Sequence, residues 1–583
     1  MTSTSSQTDE TKATLGCVQL PFGTSDIGLD DNRFSKTVDK NDRNEYDQEQ
    51  DTDTEEFVLG DTNSEDSEFL VECFDRCSKC GSKCLVSVAN TIGTFSRISV
   101  QCLLDETHSF TWCTGPLCNR LPVFHLMLAS GILATGLEWA KVLRLLSALK
   151  IKCFTRREFS RLQSAYVIPA VFNVWGGEKK RLLQKLKGQT CCIASDMRVD
   201  SPGHIGLFGS GSSLDVDNNV ILDTQIIKST EVKNSNAMEL ESIKRQLAYL
   251  ENGDVKITKL VTDRHIQVTS YMAKEKPEIE HVYDVWHVAK GEKKRLLKLA
   301  KKKKFCAIKP WIGSIINHLY WVASSSSTEI EKEEKWKSLA NHIADIHTHE
   351  DNKVFTKCLH EATKRQWLKK GSAAHKKLTE LISRPRLISA VRKLSSHQQT
   401  SGLEAKHSLD NLFASKNTYY PYHSIMARLF CANLHYNENA NRPQATTQKG
   451  DKRWSVAYPK AHKGEKAVAK PISDCPTYNY VQDVLTECLR LRKDFNTTKI
   501  ALENAKTLLP KEPPSLVETY LCGKQRQPKN EVILRRHSRF TTPALPDDKI
   551  NDKVCLCKEN VLQADVIVGI RIVHVRKVVV AKP

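Results

Sequence analysis

The N-terminus, MTSTSSQTDE, lacks both a basic segment and an apolar stretch behind it, so no secretory signal is expected. Without secretion the 19 cysteines are not read as a disulfide framework. Seven of them crowd between Cys73 and Cys118, and in a reducing compartment such clusters read as metal sites. A clean membrane span is also missing. LPVFHLMLASGILATGLEWA, residues 121–140, approaches the ~20 residues that cross a bilayer, but His125, Glu138 and two glycines interrupt it. An amphipathic pattern follows at once (Trp139, Val142, Leu143, Leu145, Leu146, Leu149), so buried helices and no membrane partner are expected. No repeat array exists either. VWGGEKKRLL (174–183) has one echo, VWHVAKGEKKRLL (285–297), at no array-like period.

Acidic residues are outnumbered by basic ones outside the first 70 positions. That segment holds 18 acids and five bases, a net −13, so against the chain's +19 the remainder carries +32. A body this basic suits a polyanion, because binding phosphates releases their counterions. The competing reading is a merely soluble basic surface. At 583 residues, 40% hydrophobic and 27% charged, the chain is long enough for several globular domains.

The pattern along the chain divides it. Residues 1–70 are acidic and poor in apolar residues, and are expected to be disordered. Residues 71–120 hold the cysteines. Residues 121–188 read as helical, with a capping box at Thr155 and Glu158. A helix over about 137–150 joined to the one at Thr155 fits a helix-turn-helix, or an ordinary helical pair. Residues 189–288 are mixed: a strand at CCIAS, two strands over 211–227 around Asp217-Asn218-Asn219, a helix over 236–253, and strands over 255–263 and 281–288. Residues 289–400 read as helical and basic, 401–440 as helical, and 441–583 as a basic C-terminal region, partly disordered. The valine-rich tail, 545–583, follows no pattern of the rest.

Two strands separated by a hairpin and a helix run up to an acid, Asp196 and Asp263. Tips of neighbouring strands lie only ~5 Å apart. Two carboxylates so close repel unless a metal or a proton sits between them. A hard divalent cation, Mg2+ or Mn2+, takes oxygen ligands and keeps waters for a substrate phosphate. Glu404, in the helical SGLEAKHSLDNL, is the candidate third carboxylate, the alternative being a plain surface acid. Asp200 is read as a turn residue and His265 as structural. Asp196-Met197-Arg198 lacks the paired acid of proofreading exonucleases.

The Cys/His clusters suggest Zn2+. Cys77-x-x-Cys80 has zinc-knuckle spacing, and Cys102 and His108 complete a set of four. In HTHEDNKVFTKCLH, His347, His349, Cys358 and His360 form H-x-H and C-x-H pairs that can close a second tetrahedral site; the alternative is a histidine-rich loop. KGEKKRLLKLAKKKKF (290–305) carries nine bases, among them Lys293, Lys294, Arg295, Lys301, Lys302, Lys303 and Lys304. It could follow a DNA backbone, serve as a nuclear import signal, or be a solvated helix face.

In this order, SDMRVDSPGH, VTDRH, DVWH and GLEAKHS resemble the motifs of DDE-type transposases of cut-and-paste DNA elements. The resemblance runs from about Cys77 to about Arg539 and takes in NHLYW (317–321), DIHTH (345–349) and NENANRPQATT (437–447). It implies a multidomain α/β protein: an N-terminal zinc ribbon, a helical DNA-binding region, and a ribonuclease H-like mixed sheet flanked by helices and split by a helical insertion. It implies Asp196, Asp263 and Glu404 as catalytic acids and Asp284 and His287 as an auxiliary pair. It further implies double-stranded DNA as partner, a homo-oligomer, a nuclear location, and metal-dependent cleavage of element ends followed by strand transfer. The rival expectation is a transposon-derived, zinc-containing DNA-binding protein that has lost catalysis.

Overall fold

The computed structural model describes residues 72–534, except 201, 203–205, 351, 362–363, 397–400, 459–466 and 522–524. The acidic segment 1–70 and the tail 545–583 therefore lie outside the described residues. The chain divides into two compact units, 1–513 and 514–583; in the second, helices cover Leu516–Leu521 and Lys529–Leu534.

The first unit opens with a three-stranded antiparallel sheet: β1 (Cys84–Ile92), β2 (Phe95–Cys102) and β3 (Phe110–Cys113). Phe95, Ile98, Val100 and Cys102 supply its buried side. The β1–β2 turn needs glycine twice over. Gly93 has φ +56°, and a Cβ there would stand 2.6 Å from His125 Nε2.

Helices follow: α1 (Val123–Ala134), α2 (Trp139–Ala148), α3 (Arg156–Leu162) and α4 (Ile168–Leu186). Thr155 caps α3, its hydroxyl accepting from the Glu158 N–H at 3.3 Å. The apolar stretch at 121–140 becomes α1 and a turn at Gly136 (φ +76°), not one long helix. Among the described residues no helix is long and apolar enough to cross a membrane. The expected separate helical region, 121–188, needs correction. Leu126, Phe159 and Trp175 share one core with Ala194 and Val261 of the central sheet and with Phe413 and Val484. The seven residues between α2 and α3 also exceed the 3–4 typical of a helix-turn-helix.

The central sheet has β4 (Thr190–Val199), β5 (Phe208–Asp215), β6 (Val220–Lys228), β7 (Lys256–Thr262) and β8 (Glu280–Tyr283), in the order β8-β7-β4-β5-β6. β4, β5 and β6 form an antiparallel meander; β7 and β8 run parallel to β4. α5 (Asn236–Asn252) crosses from β6 to β7, and α6 (Ile266–Glu275) links β7 to β8. Alternation along β4 sends Cys191 and Ile193 into a core with Ile243, Leu247 and Met272 of α5 and α6. Cys192 and Ala194 face the opposite core, which contains α13 (Ser401–Phe413) and α14 (Tyr422–Asn439).

Two expected strand ends shift. β4 does not stop at Asp196: it stays paired with β5 through Asp196↔Ser212 to Val199↔Gly209, while its parallel pairing with β7 ends at Ala194↔Val261. The strand expected over 281–288 ends at Tyr283. Asp284 then caps α7 (Val285–Ala300), accepting from the Trp286 N–H at 2.7 Å.

The insertion continues through α8 (Ile312–Ser325), α9 (Glu329–Lys337), α10 (Leu339–His342), α11 (Ala373–Ile382) and α12 (Pro385–Arg392). It has its own core, with Trp311, Leu319, Trp336, Leu378 and Val391. After α14, α15 (Asn479–Asp494) and α16 (Thr498–Leu508) return to the main core through Tyr480, Val484, Cys488 and Ala501. The segment 441–583 is thus not one C-terminal region.

Candidate active site and metal centres

Register sets three acids abreast. Ala194 lies opposite Val261, and Val282 opposite the same Val261 on the other side of β7. Two residues further along the chain stand Asp196, still inside β4, and Asp263 and Asp284, the first residues past the ends of β7 and β8. Carried one residue past the ends of β7 and β8, a period of two puts all three on the side of Ala194, Val261 and Val282, which packs with α13 and α14. The charge of Asp263 acting on Asp196, and His287 lying against both Asp263 and Asp284, agree with that placement. Neighbouring parallel strands lie ~4.8 Å apart, so the row brings three carboxylates to the end of the β7 pairing.

α13 adds Glu404 and is held firmly on β4. Arg198, buried, donates from Nε to Asn411 Oδ1 (3.2 Å) and from Nη2 to the Ala414 carbonyl. Lys406 and Asp410 form a buried pair one turn away. Gly402 permits the close approach, since a Cβ there would lie 2.7 Å from Leu214 Cδ2 and 2.9 Å from the Tyr436 hydroxyl. Asp200 is not part of this row. It is buried, its Oδ1 3.0 Å from Arg198 Nη1 though off the line of a good hydrogen bond, and burial pushes it up to about 6 against the pull of Arg198.

The acids feel one another. Burial raises Asp196, the charge of Asp263 adds to the rise, and His407 and His287 oppose it. Glu404 is raised by burial and by Asp284 and Asp196, against His287 and Lys290. His407 Nδ1 lies 3.5 Å from Asp196 Oδ2. His287 Nδ1 lies 2.7 Å from Asp263 Oδ1 and 3.4 Å from Asp284 Oδ2. Burial pushes His287 down, but the two carboxylates outweigh it and raise it to about 10. The 2.7 Å contact is close but poorly aligned, leaving Asp263 Oδ1 and His287 Nδ1 buried without a proper hydrogen bond. A fifth carboxylate, Glu239 at the start of α5, was not legible in the sequence. Burial and the charges of Asp196 and Asp263 raise it to about 7. His265 is half-buried, and burial lowers it.

An oxygen-rich donor set with a buried, poorly satisfied carboxylate oxygen suits a hard cation. The row is nevertheless looser than two other groups. Among the described residues, only Cys77, Cys80, Cys102 and His108, and His342, His347, Cys358 and His360, bring three or more ligand atoms within 4.8 Å of one another. Either group could hold a metal ion such as zinc.

The first group is the set the spacing suggests. Cys80 Sγ lies 3.5 Å from Cys102 Sγ, and Cys77 Sγ 3.7 Å from His108 Nδ1. Asp105 stands 3.4 Å from His108 Nε2, orienting the ring. The second group corrects the expected one: His342 replaces His349, which sits behind Cys358 with Nε2 3.4 Å from the sulfur. Sequence proximity favoured His349; His342 enters because α10 ends beside the hairpin.

Lys293, Lys294, Arg295, Lys301, Lys302, Lys303 and Lys304 are all exposed on α7 and just beyond it. Arg295 is partly neutralised by Glu292. Closer to the acids, Lys290 Nζ lies 4.2 Å over the Trp286 ring. Compared with known proteins, the chain matches no family model and no curated protein.

Proposed function

We propose that the chain is a DDE-type DNA transposase-like enzyme that cleaves and joins DNA strands at element ends, as a nuclear homo-oligomer on double-stranded DNA. The observation that carries this reading is the row Asp196–Asp263–Asp284 faced by Glu404 on an anchored helix. The strand order, three antiparallel strands followed by two parallel ones with a helix in each crossover, supports a ribonuclease H-like core. The small Cys/His-bearing sheet supports a zinc ribbon, and the exposed lysines of α7 support a DNA path.

Asp196, Asp263 and Glu404 would hold Mg2+ or Mn2+. When bound, the ion lowers the barrier by neutralising charge on the phosphodiester and activating a water or a 3′-hydroxyl. The chain's own residues set the stage. His407 lies 3.5 Å from Asp196 and favours its charged form, and His287 offsets the charge of Asp263 and Asp284. The buried Arg198 and the Lys406–Asp410 pair fix Glu404 against β4. Hydrolysis breaks one P–O bond and frees a 3′-hydroxyl; joining forms a P–O bond to that oxygen and breaks one in the target.

The test is nicking of duplex DNA bearing the element's own terminal repeats, with Mg2+ or Mn2+. Asp196→Ala should lower the rate by at least about 10³-fold without weakening DNA binding. Wild-type binding with no cleavage would instead support the second reading, a zinc-containing DNA-binding protein that has lost catalysis. What favours that reading is that the tightest ligand groups are the Cys/His ones, not the carboxylates.

A further inference from the structure

We propose that His342, His347, Cys358 and His360 form a structural Zn2+ site that staples the helical insertion, with His349 acting as a hydrogen-bond donor to the Cys358 thiolate and not as a ligand. This stands whether or not the carboxylates cut DNA.

The proton positions carry it. His347 Nε2 donates to Asp345 Oδ1 at 3.0 Å, so its Nδ1 keeps a lone pair, and that atom is buried with no partner. His360 Nδ1 donates to the Glu361 carbonyl at 2.7 Å, which leaves the Nε2 lone pair facing the group. Two rings are thus locked, by partners outside the group, in the tautomers a metal requires. His342 Nδ1 lies 3.3 Å from His360 Nε2 and 3.5 Å from Cys358 Sγ. Tetrahedral zinc with Zn–N of ~2.05 Å and Zn–S of ~2.3 Å demands edges of about 3.35 Å and about 3.55 Å. Three imidazoles and one thiolate are a zinc-type donor set.

His349 behaves differently. The Asn341 side-chain nitrogen, a donor, stands 3.5 Å from His349 Nδ1, so the ring proton is on Nε2 and points at Cys358 Sγ. Binding Zn2+ converts the Cys358 thiol to a thiolate and releases one proton, and the His349 N–H stabilises the resulting charge.

The site has a structural task. Among the described residues between α10 and α11, no regular element forms beyond the Thr348↔Lys357 bridge. Segments this long rarely hold one shape unaided. The four ligands tie the end of α10 to both sides of that bridge, under Trp367, whose ring lies 5.4 Å from His342 and 5.2 Å from His347.

The experiment measures zinc per full-length chain by mass spectrometry after removal of loosely bound metal. A Cys77→Ser/Cys80→Ser variant, which disables the other group, should keep one ion; adding His342→Ala should remove it. Adding His349→Gln instead should keep the ion while weakening it about 10–100-fold in competition with a chelator. No ion in the Cys77→Ser/Cys80→Ser variant, or loss with His349→Gln but not with His342→Ala, overturns the proposal. If those variants fail to fold, alkylation of the wild-type chain decides. Cys358 should be protected until a chelator is added, and equal labelling with and without the chelator contradicts the site.

Discussion

His281 is a buried imidazole and His318 a half-buried one. His281 Nε2 pairs with the Thr262 hydroxyl at 2.9 Å, and His318 Nε2 donates to the Lys335 carbonyl at 2.8 Å. Burial lowers each to about 4. An unfolded histidine titrates near ~6.5. Between these values the unfolded chain binds more protons than the folded one, so stability rises with pH across the window and is lost as pH falls through it. Each residue should contribute on the order of 1–3 kcal/mol to this loss. Thermal melts at pH 7 and pH 4.5 should therefore show a smaller drop for His281→Gln/His318→Gln than for the wild type; equal drops would contradict it. Legibility at this scale followed chemistry tied to spacing. Cys77, Cys80, Cys102 and His108 could be picked out because a C-x-x-C pair is locally fixed. His342 and Glu239 could not, since only packing brings α10 to the hairpin and α5 to the acids.

Among the elements, α7 shows how a local signal is overridden. HVYDVWHV is rich in residues that favour strands, yet Asp284 accepts the Trp286 N–H and starts a helix. That turn delivers His287 to Asp263 and aims the following lysines outward. If α7 lies along DNA, changing Lys293, Lys294, Lys301, Lys302, Lys303 and Lys304 to Ala should flatten the dependence of log K on log salt by about 0.9 for each phosphate no longer neutralised. Binding measured across a salt series gives the slope, and an unchanged slope would place the DNA elsewhere. The extent of β4 was equally hidden in the sequence. A strand paired on one side beyond the end of its other neighbour leaves no trace in hydrophobic alternation, so Asp196 read as a terminus when it is an interior residue of the strand.

At the scale of the whole molecule, the first unit joins what the sequence suggested were separate parts. The pattern along the chain conveyed the mixed α/β character and the helical insertion, because periodicity reports on single elements. It did not convey that α1, α3, α4, α15 and α16 share a core with the central sheet, because long-range packing is not written in local period. That shared core holds α13 against β4, and with it Glu404 within reach of the charge of Asp196. The claim that the acid row binds a divalent cation is tested most directly by titrating Mn2+ into the zinc-loaded chain, since Mn2+ prefers oxygen ligands and the Cys/His groups do not offer them. Wild-type protein should bind Mn2+, and Asp196→Asn/Asp263→Asn should weaken that binding at least about tenfold while the zinc content stays unchanged. Mn2+ affinity that is the same in both proteins would contradict it.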